Sequence, residues 1–269
     1  MSVILTMETK IIEKLKQIES DNDVSIIWAI ESGSRSWGFD SPDSDYDVRF
    51  IYVNKPDWYI TIEEGPDVIE IPTDGELDIS GWDLRKALRL FKKSNPVLIE
   101  WLVSPFVYMR YGKFRDQIFE IATECFSLKA CSYHYLRMAE NDYNRYVKPR
   151  DPVNTKKYFY VLRPLLNILW LNQKTSIPPM QFIKTLNNLD LPEKVFKTIH
   201  ELLEQKKQAS EMGKGPKIPI LEDFILEQLE WAQQYCESAP VGHIEINMLN
   251  KLFHQTIDEC WCETKKRKF

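Results

Sequence analysis

The sequence predicts an α+β fold: a small mixed sheet with flanking helices over residues 1–110, followed by a mainly helical domain over residues 111–269. Two observations carry this reading. Short runs with strand character cluster in the first third, at 25–30, 47–53 and 68–80. Beyond about residue 110 strand signals nearly vanish and helical spacing of apolar residues takes over.

Residues 8–19 open the chain with Ile11, Leu15 and Ile18 at helical spacing between charges, an amphipathic helix. Residues 25–30 are an apolar run suited to a buried strand, and 47–53 alternate so that Val48, Phe50 and Tyr52 share one face. Residues 68–80 read as a hairpin with its turn over Pro72-Thr73-Asp74-Gly75. Ser80-Gly81-Trp82-Asp83 has the form of a capping box, and Leu84, Leu88 and Phe91 mark the helix it opens, which Asn95-Pro96 interrupts. Helical periodicity then recurs at 113–125, 127–147, 155–172, 179–189, 192–212, 218–236 and 244–260. Gly213 to Lys217 reads as an interhelical loop, and its spacing is not that of a P-loop.

At 269 residues the chain is too long for a disulfide-stapled miniprotein, and its aromatic content suits a packed core. Five cysteines without a C-x-x-C pair suggest free thiols, and the absence of a leader-like or long apolar segment leads us to expect a cytoplasmic protein with no membrane partner. A formal net charge of -5 argues against a surface that coats nucleic acid, so any such contact is local. The four histidines are isolated and lack metal-ligand spacing, and the basic run 265–268 reads as a solvated end.

Chemistry concentrates between Glu31 and Phe50. A strand ending in Gly33-Ser34 leads through a polar segment to a second strand opening with Asp45-Tyr46-Asp47. Side chains two apart on a strand face the same way with α-carbons about 6.5–7 Å apart, so both aspartates can serve the same cation, and carboxylates suit Mg²⁺. Gly33 lets the backbone approach a triphosphate, and Ser34 offers a hydroxyl and an N–H to its oxygens. A two-metal site needs a third carboxylate. Asp78, on the hairpin strand with Leu77 and Ile79 turned to the core, is preferred over Asp83, which suits a helix cap. A calcium loop over Asp43, Asp45 and Asp47 fails because Val48 stands where glycine is required.

Gly33-Ser34, ten intervening residues and Asp45-Tyr46-Asp47-Val48 resemble the signature of the polymerase β-like nucleotidyltransferase superfamily. Gly33-Ser34-Arg35-Ser36-Trp37-Gly38, Leu77 to Leu84, Asn95-Pro96 and Lys156-Lys157-Tyr158 through Leu162-Arg163-Pro164-Leu165 resemble the YcgL/RlaP-type nucleotidyltransferases linked with RNA repair. The resemblance implies transfer of an NMP from NTP to an acceptor hydroxyl with release of pyrophosphate. It implies Mg²⁺ or Mn²⁺ on Asp45, Asp47 and Asp78, with nucleotide bound by Gly33, Ser34, Arg35, Lys156, Lys157 and Arg163. Salt-bridge roles stay open for the last three. RNA, a protein or a small molecule all stay open as acceptor. A nucleotide-sensing or RNA-binding module with little catalysis is the alternative, and an antitoxin-type enzyme that nucleotidylates a protein is another.

Overall fold

The computed structural model describes residues 6–40, 44–208 and 213–262. Helix α1 (Met7–Asn22) begins at Thr6, whose side chain accepts from the Thr9 N–H, and buries Ile11, Leu15 and Ile18. Strands β1 (Ser25–Glu31), β2 (Tyr46–Val53), β3 (Val68–Asp74), β4 (Leu77–Asp83) and β5 (Val107–Arg110) form one sheet in the order β3-β4-β2-β1-β5. Within this sheet the β2–β4 pair is parallel and the other neighbours run antiparallel.

The sheet is covered on both faces. Val48, Phe50, Tyr52 and Ile79 pack with α1 in one apolar cluster, as the alternation in 47–53 predicts. Ile51 and Val53 face a larger cluster that continues through the helices to Cys260. Alternation therefore puts Asp47 and Arg49 on the side where the helices lie. The helices are α2 (Gly33–Trp37), α3 (Leu84–Lys92), α4 (Pro96–Leu102), α5 (Phe114–Cys125), α6 (Leu128–Asp142), α7 (Lys156–Lys174), α8 (Phe182–Asn187), α9 (Glu193–Gln208), α10 (Pro219–Ser238) and α11 (Ile246–Trp261). Helix α7 is apolar nearly all round and packs against α6, α8 and α10, as expected of a helix surrounded by others.

Several local expectations shift. The hairpin turns two residues later: Pro72 to Asp74 remain in β3, Asp74 pairs with Leu77, and Gly75 takes φ +62°. There is no capping box at Ser80, because β4 runs through to Asp83, which caps α3 itself by accepting from the Arg85 N–H at 2.7 Å. Strand β5 gives little sequence signal, being four residues long with none fully buried. Residues Lys214–Gly215 (β7) leave the expected loop to pair with Val153–Asn154 (β6). The end of the helix expected to reach 212, and the basic run 265–268, lie outside the described residues.

Candidate active site

The site forms where β1, α2, β2 and β4 meet. After Glu31 the chain turns sharply into α2, and Gly33 adopts φ +62°, a region glycine enters without strain. A Cβ on Gly33 would lie 1.9 Å from Asp47 Oδ2, so space and backbone angle both demand glycine. The Ser32 N–H donates to the Asp47 carbonyl at 2.7 Å, and the Asp47 N–H donates to Glu31 Oε1 at 2.8 Å. Glu31 is buried, accepts from the Tyr108 hydroxyl at 2.6 Å, and its main-chain carbonyl accepts from Ser36 and Ser104. Burial raises the Glu31 carboxyl above the usual range, against the pull of these hydrogen bonds.

Parallel pairing puts Asp47 directly beside Asp78 on the adjacent strand. Burial raises the Asp47 carboxyl; Arg49 opposes the rise, and the charges of Asp78 and Asp45 add to it. Arg49 Nη2 lies 2.7 Å from Asp78 and 3.4 Å from Asp47, while Nη1 donates to the carbonyls of Val48 and Asp78. Two cavities meet at this guanidinium. One, of about 330 Å³, is lined by Gly33, Ser34, Asp45, Asp47, Lys156 and Tyr160, among others. The second, of about 550 Å³, is lined by Asp78, Ser80, Glu70 and Thr73 with neighbouring β3 residues.

Five of the residues expected to bind nucleotide or metal thus share one cavity: Gly33, Ser34, Asp45, Asp47 and Lys156. Asp45 precedes β2 by one residue, and Asp78 faces the adjoining cavity. Arg35 turns toward the chain itself, donating to the carbonyls of Asp45 at 3.2 Å and Ser44 at 2.5 Å and lying over the Tyr46 ring. Lys157 lies over the rings of Tyr146 and Tyr160. The basic face of α3 is largely matched by acids, with Arg89 on Glu64 and Lys86 on Asp67.

Arg163 is buried, 2.7 Å from Glu100, and lies over the Trp37 ring; Tyr135 donates to the same carboxylate at 2.9 Å. Its side chain answers a buried acid, so of the two roles left open by the sequence it takes the salt bridge. Arg163→Met strands that carboxylate and is expected to cost roughly 3–5 kcal/mol in chemical denaturation. Adding Glu100→Leu to that variant recovers most of the loss if an unpaired charge is the cause. Three residues that sequence reasoning does not select also shape the site: Glu31, Arg49 and Tyr160. Arg49 had one signal, a cation two positions beyond Asp47 in a strand whose alternation puts both on one face.

Among the described residues no three acidic, histidine or thiol side chains converge as a ready metal cage. The donors nevertheless suit a hard divalent cation, since Asp45 and Asp47 line one cavity with Ser34 and the bare Gly33 backbone. Asp78 lines the adjoining cavity, and Arg49 bridges its carboxylate to that of Asp47. No helix among the described residues is long and apolar enough to cross a membrane.

The model of the RNA repair pathway DNA polymerase beta family, RlaP, matches residues 7–255. The uncharacterized protein YcgL of Bacillus subtilis (strain 168) is 43% identical over 256 residues, covering 95% of this chain and 98% of the relative. A solved nucleotidyltransferase-like protein from Exiguobacterium sibiricum 255-15 superimposes with a TM-score of 0.31 at 13% identity, over 85% of this chain and 75% of its own. With its family model matched over nearly the whole length, the chain belongs to RlaP, the RNA repair pathway DNA polymerase beta family.

Proposed function

We propose that the chain transfers an NMP from an NTP to an acceptor hydroxyl and releases pyrophosphate. The observation that carries this reading is the pairing of Asp47 with Asp78 across parallel strands, with the Gly33 backbone against Asp47. Mg²⁺ or Mn²⁺, when bound, supplies charge neutralisation for the phosphates and acidifies the acceptor hydroxyl.

The chain's own residues do the rest. Asp45 and Asp47 would hold the cation, while the Ser34 hydroxyl and N–H and the Lys156 ammonium would hold phosphate oxygens in their shared cavity. Asp78, once Arg49 lets go of its Oδ2, completes the carboxylate set and accepts the acceptor's proton. Arg49 remains beside the reacting phosphate as a fixed positive charge. The family description favours RNA as acceptor, with its terminal ribose supplying the hydroxyl.

The Arg49 bridge also favours a second reading, a nucleotide-binding module in which Asp47 and Asp78 stay neutralised. The two readings separate on pyrophosphate release from each of the four NTPs with Mg²⁺ or Mn²⁺, with and without small RNAs. Metal-dependent release that Asp45→Asn/Asp47→Asn loses and RNA stimulates supports transfer to RNA. Tight NTP binding with no release under any condition supports the module, and release stimulated only by a protein or small molecule assigns the acceptor elsewhere.

A further inference from the structure

Lys206, on α9, is 2% exposed, and no carboxylate pairs with it among the described residues. Its ammonium donates to the Phe39 carbonyl and lies 4.3 Å from the centre of the Phe39 ring and 5.9 Å from that of Phe159. Phe39 in turn stacks on Phe159 of α7 and meets Phe182 of α8 edge-on, so the lysine head is enclosed by apolar surface. Lysine is almost never fully buried without a partner, because removing the charge from water is costly and an apolar side chain would fill the space without that cost. Such an arrangement calls for a reason beyond packing.

The surroundings supply one. Phe39 belongs to the segment that joins α2, with Gly33 and Ser34, to Asp45. Lys206 grips this segment near its start by the Phe39 carbonyl, and Arg35 grips it at its end by the carbonyls of Ser44 and Asp45. The charged groups that Lys206 senses are Lys156 of α7, which lines the Ser34–Asp47 cavity, and Asp40, which lies 3.8 Å from Arg35. Burial lowers the Lys206 ammonium to about 8, Lys156 pushes the same way, and Asp40 opposes them.

We propose that Lys206 is a positioning residue for the nucleotide: charged, it holds Phe39 in place behind α2 and backs Lys156 with a positive charge that no acid among the described residues pairs with. The inference rests on the reading of the Ser34–Asp47 cavity as a nucleotide site. Entry of a polyanion offsets the repulsion between the two lysines, so phosphate binding and protonation of Lys206 strengthen each other.

The test is the affinity of the full-length protein for ATP with Mg²⁺, measured by calorimetry at pH 7, 8 and 9 for the wild type, Lys206→Arg and Lys206→Met. Wild-type affinity falls about tenfold from pH 7 to 9 as the lysine discharges, following the fraction of binding-competent protein. Lys206→Arg keeps its charge and binds with little change across the range. Lys206→Met binds about tenfold more weakly at pH 7 and is equally indifferent to pH, with thermal unfolding showing an intact fold. Wild-type affinity in Lys206→Met at pH 7, or the same pH dependence in wild type and Lys206→Arg, overturns the proposal. If Asp45→Asn still removes pyrophosphate release in that case, the catalytic reading survives its loss; a wild type that binds no nucleotide at any pH overturns both.

Discussion

Asp47→Asn is expected to lower nucleotidyl transfer by roughly a thousandfold, the order seen when one fixed electrostatic contact to a transition state is lost, while its melting temperature does not fall. The activity loss follows from position. Asp47 lines the same cavity as Ser34 and Lys156 and stands between Asp45 in that cavity and Asp78 on the neighbouring strand, at the centre of the proposed carboxylate set. The stability result follows from the raised carboxyl: burial makes its charged form the costly one. An acid with a raised native pKa weakens the fold at pH values above that pKa, and the penalty disappears as pH falls below its ordinary range. The advantage of asparagine in unfolding experiments is therefore present near neutrality and shrinks on acidification through the carboxylate range. A clear loss of melting temperature at pH 7 would instead make Asp47 a structural residue.

Gly33→Ala is expected to remove most activity and also to destabilise the fold. At φ +62° a residue with a Cβ is strained by roughly 1–3 kcal/mol, and the added methyl would lie 1.9 Å from Asp47 Oδ2. Relief requires Asp47 or the turn to move, and a shift of about 1 Å in a catalytic group costs on the order of a hundredfold in rate. Gly38 provides the control, with φ +77° and nothing within 4 Å of where an added methyl would lie, so Gly38→Ala carries the backbone strain without the clash. Equilibrium denaturation and turnover of both variants separate the two effects. Equal activity in Gly33→Ala and Gly38→Ala would show that contact with Asp47 does not matter.

The grouping of Gly33, Ser34, Asp45 and Asp47 at one cavity is legible in the sequence because it is local. Gly33, Ser34, Asp45 and Asp47 lie within one unit of strand, short helix and strand, and the period of two along β2 fixes which of its side chains share a face. Asp78 is reached by the same argument, since Leu77 and Ile79 both turn to the α1 cluster and leave Asp78 on the other side. Its placement beside Asp47 is a matter of inter-strand register, which no local pattern specifies. Partners distant in sequence are harder still. Arg163 looks like any basic residue on a helix until Glu100, 63 positions away, is found buried beneath it. Lys206 carries no signal at all, because its significance lies in the Phe39 carbonyl 167 positions earlier. Arg35 shows the converse, a residue within the signature whose guanidinium braces the backbone of Ser44 and Asp45.

The most direct measurement follows the fate of label from NTP carried separately at the α- and γ-phosphates, with Mg²⁺ and a pool of small RNAs, in the wild type and Asp47→Asn. Nucleotidyl transfer predicts that wild-type protein moves the α-label to the acceptor, that the γ-label leaves as pyrophosphate, and that Asp47→Asn does neither. Transfer of the γ-label, or α-label transfer by Asp47→Asn at the wild-type rate, contradicts the assignment of this cavity as a nucleotidyltransferase centre.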